Sequence, residues 1–168
     1  MTSAWNTPIR FDHRVHDRRS FDSGRPELDE WIKRYARQSQ DAFTAQVFVA
    51  SPVARETVIA GFYSLHLGAL ERARGSDAAA RRSPDPIPAL VMGRLAVDRQ
   101  FAGQGLGGAL LRDALERTLL IARNAGVKIL LVHAKDDAAK LFYLRHGFEV
   151  GPVDALTLML LVQDIPGA

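Results

Sequence analysis

Apolar positions along the chain change their period several times, and each change marks an element. Leu28, Trp31, Ile32 and Tyr35 recur at helical spacing behind Pro26, with Glu27, Asp29 and Glu30 at the positive end. This predicts a helix from Pro26 to about Gln38. Upstream, Thr7 to Arg19 is extended and charged, an edge strand followed by a loop, and Ser20-Phe21-Asp22-Ser23-Gly24 is turn chemistry. Val47–Ala50 and Val58–Leu67 read as strands joined by a polar turn around Pro52–Glu56. From Glu71 to Pro88 no period holds; Ala-rich, Arg-rich and Pro-rich pieces follow one another, which predicts a long mobile loop.

The second half is more regular. Leu90–Val97 is a strand that runs into a glycine-rich turn. Beyond it Leu111, Ala114, Leu115, Thr118, Leu119 and Ala122 form the buried stripe of a helix, with Arg112, Asp113, Glu116 and Arg117 expected outside. Ala125-Gly126 ends that helix. Lys128–Ala134 has a wholly apolar interior, as in the middle of a sheet. Asp136 can cap a helix from Asp137 to about His146, Gly147 suits a left-handed C-cap, and Phe148–Val150 and Leu156–Val162 supply two more strands. Helix, strands, glycine turn, helix, strand, helix, strands: the order is that of a three-layer α/β sheet.

Composition narrows the class without naming a function. The 168 residues suit one domain, 1–168, with a real core, and 47% apolar and 24% charged residues are ordinary for a globular protein. No apolar run reaches the roughly 18 residues of a membrane span, and the N-terminus has no signal-peptide pattern. Cysteine is absent, which excludes disulfides and thiolate chemistry; a cytoplasmic location is expected. The net charge of +3 is modest, yet only Lys33, Lys128, Lys135 and Lys140 are lysines and the other 18 basic residues are arginines. Arginine binds phosphate in a planar, bidentate way, although a high-GC genome gives the same bias.

The chemistry concentrates in Arg94-Leu95-Ala96-Val97-Asp98-Arg99-Gln100-Phe101-Ala102-Gly103-Gln104-Gly105-Leu106-Gly107-Gly108-Ala109-Leu110-Leu111. Four glycines in six residues allow positive φ and close approach of a ligand to the backbone. The N–H groups that open the following helix lack intrahelical acceptors and sit in a positive dipole field, so such a turn can cradle a pyrophosphate. A P-loop would need Lys-Ser or Lys-Thr after its last glycine, whereas Gly108 is followed by Ala109-Leu110. A Rossmann fingerprint belongs after the first strand, and this turn lies past the middle of the chain.

Gly-x-Gly-x-x-Leu-Leu after a strand ending in Val-Asp instead resembles the acetyl-CoA loop of the GNAT acetyltransferases. Ala138-Ala139-Lys140-Leu141-Phe142-Tyr143-Leu144-Arg145-His146-Gly147-Phe148 is similar to the second half of that signature. Phe21-Asp22-Ser23-Gly24 leading into Leu28 to Gln38, Gly61-Phe62-Tyr63-Ser64-Leu65 and Pro88 to Asp98 resemble one branch of the family, from about Phe11 to Gln163. That branch comprises the TacT-like acetyltransferase toxins of type II toxin–antitoxin modules. The resemblance implies a GNAT fold, three-layer α/β/α with a mixed, mostly antiparallel central sheet. It implies acetyl transfer from acetyl-CoA, without a metal, to the α-amino group of aminoacyl-tRNA, which stops translation. It also implies a ribbon-helix-helix antitoxin and a homodimer, with no membrane partner.

Site residues carry over by position. Tyr143 matches the general acid that protonates the thiolate leaving group; the alternative is a core aromatic beside Phe142. The backbone of Leu95 and Val97 would pair with the pantetheine arm, and Gly103, Gln104, Gly105, Gly107 and Gly108 would hold the pyrophosphate. Ala102 stands where the family has Gln or Arg, so one side-chain contact is missing; a register on Gln100-x-x-Gly103-x-Gly105 also fits the letters. Asp136 stands where many members carry Asn, at the cofactor site or simply as a cap.

No carboxylate or histidine stands out as a general base. An α-amino group near pKa 7.7–8.0, lowered further by an adjacent ester, needs little help, whereas a lysine amine near 10.4 needs much. Lys33, Arg34 and Arg37 lie within about one helical turn, and Arg72, Arg74, Arg81 and Arg82 decorate the long loop. Either group could grip RNA phosphates or form a solvated face. Arg94 lies on the strand that leads to the site, toward the tRNA end or the antitoxin. His13-x-x-His16 has no third ligand nearby and is not read as a metal site. Two other readings stand beside the toxin: a GNAT acting on a small-molecule or protein amine, and a GNAT-fold module that binds acyl-CoA or DNA without catalysis.

Overall fold

The computed structural model describes residues 3–168. Seven strands form one mixed sheet in the order β1-β2-β3-β4-β5-β7-β6. They are β1 (Ile9–Arg10), β2 (Gln46–Ala50), β3 (Gly61–Leu70), β4 (Ile87–Val97), β5 (Ile129–His133), β6 (Glu149–Val150) and β7 (Thr157–Leu161). The pairs β1/β2, β2/β3, β5/β7 and β6/β7 are antiparallel. β4 and β5 run parallel, as they must when a helix returns the chain between them. That helix is α4 (Leu106–Ala122). Contacts divide the chain into two compact units, residues 1–66 with 94–114 and residues 67–93 with 115–168.

The first unit is built on aromatic packing. Phe62 on β3 is fully buried, with the Phe21 ring 5.3 Å away and the Trp31 ring stacked at 6.1 Å. Phe11, Leu28, Ile32, Val47, Val49 and Ala96 complete this core. Gly61 is required here: a Cβ would come within 2.9 Å of both the Ala96 carbonyl oxygen and Leu110 Cδ1. The N-terminal helix extends past the expected end at Gln38 and is not uniform. It consists of α1 (Pro26–Glu30), a π-helical turn (Trp31–Tyr35) and α2 (Ala36–Asp41), and the Ala36 amide reaches back to the Trp31 carbonyl. One strand starts later than expected. Val58 to Ala60 precede β3, because Val58 closes a turn onto the Arg55 carbonyl.

Asp113, expected on the solvent face of α4, is buried. Its carboxylate accepts a 2.5 Å hydrogen bond from the Tyr63 hydroxyl. A polar group next to Ala114 can lie on the buried arc when a partner replaces water.

In the second unit Ile129 to Val132 are all buried, and Ile129, Leu131, Met159, Leu161, Ala89 and Val91 share a core. The segment Glu71 to Pro88, expected to be a mobile loop, is instead folded. It holds a 3₁₀ turn at Arg72–Arg74 and α3 (Asp77–Ala80), and β4 begins inside it at Ile87. Ser76 caps α3 by accepting from the Ala79 amide at 3.2 Å, a contact worth about 1 kcal/mol. The Ser83 hydroxyl donates to the Ala79 carbonyl at 2.6 Å, and the Arg72 amide donates to Asp85 at 3.0 Å. Ala79 and Ile87 are wholly buried in the core of this unit. The anchors are one alanine and one isoleucine among prolines and arginines, too sparse to show a period.

Helix α5 (Asp137–Arg145) follows the expected plan. Asp136 accepts from the Ala139 amide at 2.9 Å, and Gly147 has φ +89 at the other end.

Candidate active site

The chain's approach to the glycine turn is fixed by one buried carboxylate. β4 ends at Val97, and Asp98 then accepts from the Gln100 amide and from the Asp22 amide, both at 2.9 Å. This caps the 3₁₀ turn Arg99–Phe101 and ties it to the Phe21-Asp22-Ser23-Gly24 segment. Arg99 adds an ion pair with Asp22, and its guanidinium holds that carboxyl below the usual carboxylate range. Gly103 and Gly105 then take φ of +75 and +82. An added Cβ at either would meet nothing within 4 Å, so the turn is open on that side. Gly107 and Gly108, grouped in the sequence with the turn, lie in the first turn of α4. Their value is the absence of a side chain at a helix N-terminus, where N–H groups and dipole attract an anion. Leu95 and Val97 sit half-buried on β4 just before the turn.

Tyr143 belongs to the second unit. It lies two turns into α5 and is 8% exposed, between the rings of Phe142 at 5.1 Å and Phe148 at 5.3 Å. The Phe148 amide donates to the Tyr143 carbonyl, so the helix end at Gly147 folds the chain back over the ring. Burial pushes the phenol well above the ordinary tyrosine value. Its hydroxyl therefore carries a proton at every physiological pH. The Asp136 carboxylate is committed to the cap at the start of the same helix.

Positive charge collects on the first unit. Arg18, Lys33, Arg34, Arg37, Gln38, Asp41 and Ala42 line an open groove of about 610 Å³. The π-helical turn carries Lys33 and Arg34, and α2 carries Arg37. Arg34 pairs with Glu30 at 3.3 Å and Arg37 with Asp41 at 3.6 Å. Among the described residues Arg18 and Lys33 form no ion pair. Arg94 has a different place. Its guanidinium lies over the Trp31 ring at 4.1 Å, half-buried, and burial lowers its pKa while leaving it charged.

Residues 44–150 match the family described as "Acetyltransferase (GNAT) domain". The chain belongs to the GNAT acetyltransferases. A Mycobacterium tuberculosis protein named tRNA-acetylating toxin is 38% identical over 162 residues, 96% of this chain and 95% of that one. The probable toxin TacT of Sinorhizobium fredii is 28% identical over 163 residues, 92% and 90% of the two chains. Among solved structures, AtaT complexed with acetyl-methionyl-tRNAfMet superposes with a TM-score of 0.86 at 24% identity, covering 95% of this chain and 96% of that one. An AtaT mutant toxin bound to the C-terminus of the antitoxin AtaR gives 0.82 at 22% identity, covering 97% and 96%. These likenesses establish a GNAT fold with its mixed sheet.

In this GNAT chain the sequence-expected residues separate into three groups. Leu95, Val97, Gly103, Gln104, Gly105, Gly107 and Gly108 share one strand–turn–helix of the first unit. Lys33, Arg34 and Arg37 share one groove, which Arg94 does not line. Tyr143 and Asp136 share α5. The arginines of segment 71–88 belong to the second unit, where the Arg72 guanidinium holds the Ser83 carbonyl at 3.2 Å. Sequence reasoning missed Arg18, which lies in an irregular segment 15 residues before Lys33 and carries no periodic signal. It also missed Trp31 as the seat of Arg94 and Asp98 as the cap of the 3₁₀ turn that precedes the glycines. The Val97-Asp98 ending of the strand was the available signal for Asp98.

Proposed function

We propose that this acetyltransferase moves an acetyl group from acetyl-CoA to the α-amino group of aminoacyl-tRNA and so blocks translation as a toxin. The observation that carries the reading is the 38% identity, across 96% of the chain, to a protein named tRNA-acetylating toxin. A groove holding four cationic side chains on the first unit gives that likeness a physical counterpart, since a small amine has no use for it. The reading takes residues 1–168 as one catalytic domain of a cytoplasmic protein. Its partners are an antitoxin of the ribbon-helix-helix type and a second copy of the chain.

Acetyl-CoA supplies the acyl thioester. Its pyrophosphate belongs at Gly103, Gln104, Gly105, Gly107 and Gly108, where the turn is open and the N–H groups of α4 converge. The backbone of Leu95 and Val97 extends along its pantetheine arm. The neutral α-amine attacks the thioester carbonyl; the C–N bond forms, the C–S bond breaks, and the amine's extra proton leaves to water. Tyr143 donates its hydroxyl hydrogen to the sulfur as negative charge develops there and regains a proton from water, which closes the balance with the one the amine released. A phenol raised by burial keeps its proton until the C–S bond breaks, so it first stabilises the developing thiolate as a hydrogen-bond donor. Full proton transfer to a thiol near 8.5 runs uphill and depends on the rapid return of a proton from water. Lys33, Arg34, Arg37 and Arg94 hold the RNA.

The test is acetylation of total charged tRNA with labelled acetyl-CoA. The label should be released by mild alkali as N-acetyl amino acid, because the aminoacyl ester is alkali-labile. Label that stays on protein lysines, or that appears on small amines alone, favours the other GNAT reading.

A further inference from the structure

We infer that Phe43, which directly follows the groove residues Asp41 and Ala42 in the chain, is a stacking platform for an unpaired base of the RNA. The inference rests on the part of the functional reading by which the basic groove holds tRNA. Phe43 is 84% exposed and has φ +59. It occupies the residue after the C-cap of α2, where glycine is the usual choice. The surrounding hydrogen bonds define that position. The Phe43 amide donates to the Gln40 carbonyl at 3.1 Å, and the Thr44 amide reaches the Ser39 carbonyl at 2.9 Å. A bulky side chain in this left-handed conformation opposes folding and, at this exposure, adds almost nothing to the core.

What Phe43 adjoins gives the ring a use. Asp41 and Ala42, the two residues before it, line the groove with Arg18, Lys33, Arg34 and Arg37. Tyr35, 49% exposed, is a second ring on the same helix between Arg34 and Arg37. Cations that track a phosphate backbone, together with exposed aromatic faces, are how proteins hold single-stranded nucleic acid. A fully paired duplex hides its base faces, so an exposed ring is useful where pairing ends. The charge of the groove selects a polyanion, and the ring selects one with a free base, as at the unpaired 3′ end of a tRNA.

The experiment measures binding of fluorescent deacylated tRNA over a salt series to the wild type, Phe43→Gly and Phe43→Tyr, with acetylation of charged tRNA followed in parallel. Phe43→Gly should weaken binding about 5–150-fold at every salt concentration, the range of one lost base stack. It should leave the salt slope unchanged, because no phosphate contact is lost. Phe43→Tyr keeps a ring and should bind like the wild type. The melting temperature of Phe43→Gly should not fall, since glycine suits the left-handed position. The inference is overturned if Phe43→Gly binds like the wild type, if its salt slope flattens, or if Phe43→Tyr binds as weakly as Phe43→Gly. A wild type that acetylates charged tRNA while Phe43→Gly binds normally loses only this inference. A wild type that neither binds nor acetylates tRNA loses the functional reading as well. Ring-dependent binding without acetylation keeps the inference and removes the reading.

Discussion

Tyr143 and His16 are both buried, and burial has opposite consequences for them. In Tyr143 it fixes a protonated hydroxyl, the form a leaving thiolate needs. Tyr143→Phe should fold and bind acetyl-CoA like the wild type while acetyl transfer falls about 10²–10⁴-fold, the usual worth of a general acid. Single-turnover kinetics check this, and transfer at the wild-type rate would leave Tyr143 a core aromatic only. His16 is 4% exposed, stacks on Phe11, and accepts the Asp12 amide at Nδ1. Burial lowers its pKa below 6.5, more than Asp12 raises it. The folded state then resists a proton that the unfolded chain accepts, so stability is complete above pH 6.5 and declines as pH falls below it. Urea unfolding between pH 8 and 5 should show that slope, and His16→Asn, which keeps an acceptor without a charge, should flatten it. The carboxyls of Asp12, Asp17, Asp22 and Asp154, all held below 3.8 by their hydrogen bonds and ion pairs, act only in the more acid range below that value.

At the scale of elements, legibility followed the strength of the local signal. The cap at Asp136, the left-handed Gly147 and the run Ile129 to Val132 were readable, because each is a residue type that one position demands. The π-helical turn was not, since Trp31 to Tyr35 has the same apolar spacing in either helix and the difference is one backbone register. The order of segment 71–88 leaves no period in the sequence, because it comes from buried Ala79 and Ile87 and from serine and aspartate contacts with backbone. The glycine turn was legible as a turn, while the division of labour among its glycines was not. Gly105→Ala should cost about 1 kcal/mol of stability for its left-handed φ and also weaken acetyl-CoA binding. Gly107→Val should act chiefly on acetyl-CoA, because that position is already helical. Calorimetry separates the two effects; normal affinity in both variants would move the cofactor away from this turn.

At the scale of the whole molecule, a net charge of +3 says little and its placement says more. Arg34 and Arg37 spend part of their charge on Glu30 and Asp41, whereas Arg18 and Lys33 face the groove without an ion pair among the described residues. Arg18→Ala and Lys33→Ala should therefore raise KM for charged tRNA more than Arg34→Ala or Arg37→Ala, with KM for acetyl-CoA unchanged. Each lost phosphate contact should flatten the salt dependence of binding by a slope of roughly 0.7–0.9, equally across tRNA species. The central claim is that the acceptor is an amine presented by RNA. The most direct measurement compares kcat/KM for one purified aminoacyl-tRNA with that for the methyl ester of the same amino acid. The account predicts alkali-labile N-acetyl product from the charged tRNA, none from deacylated tRNA, and a preference over the ester that shrinks as salt rises. Equal kcat/KM for tRNA and ester, or a preference indifferent to salt, would contradict it.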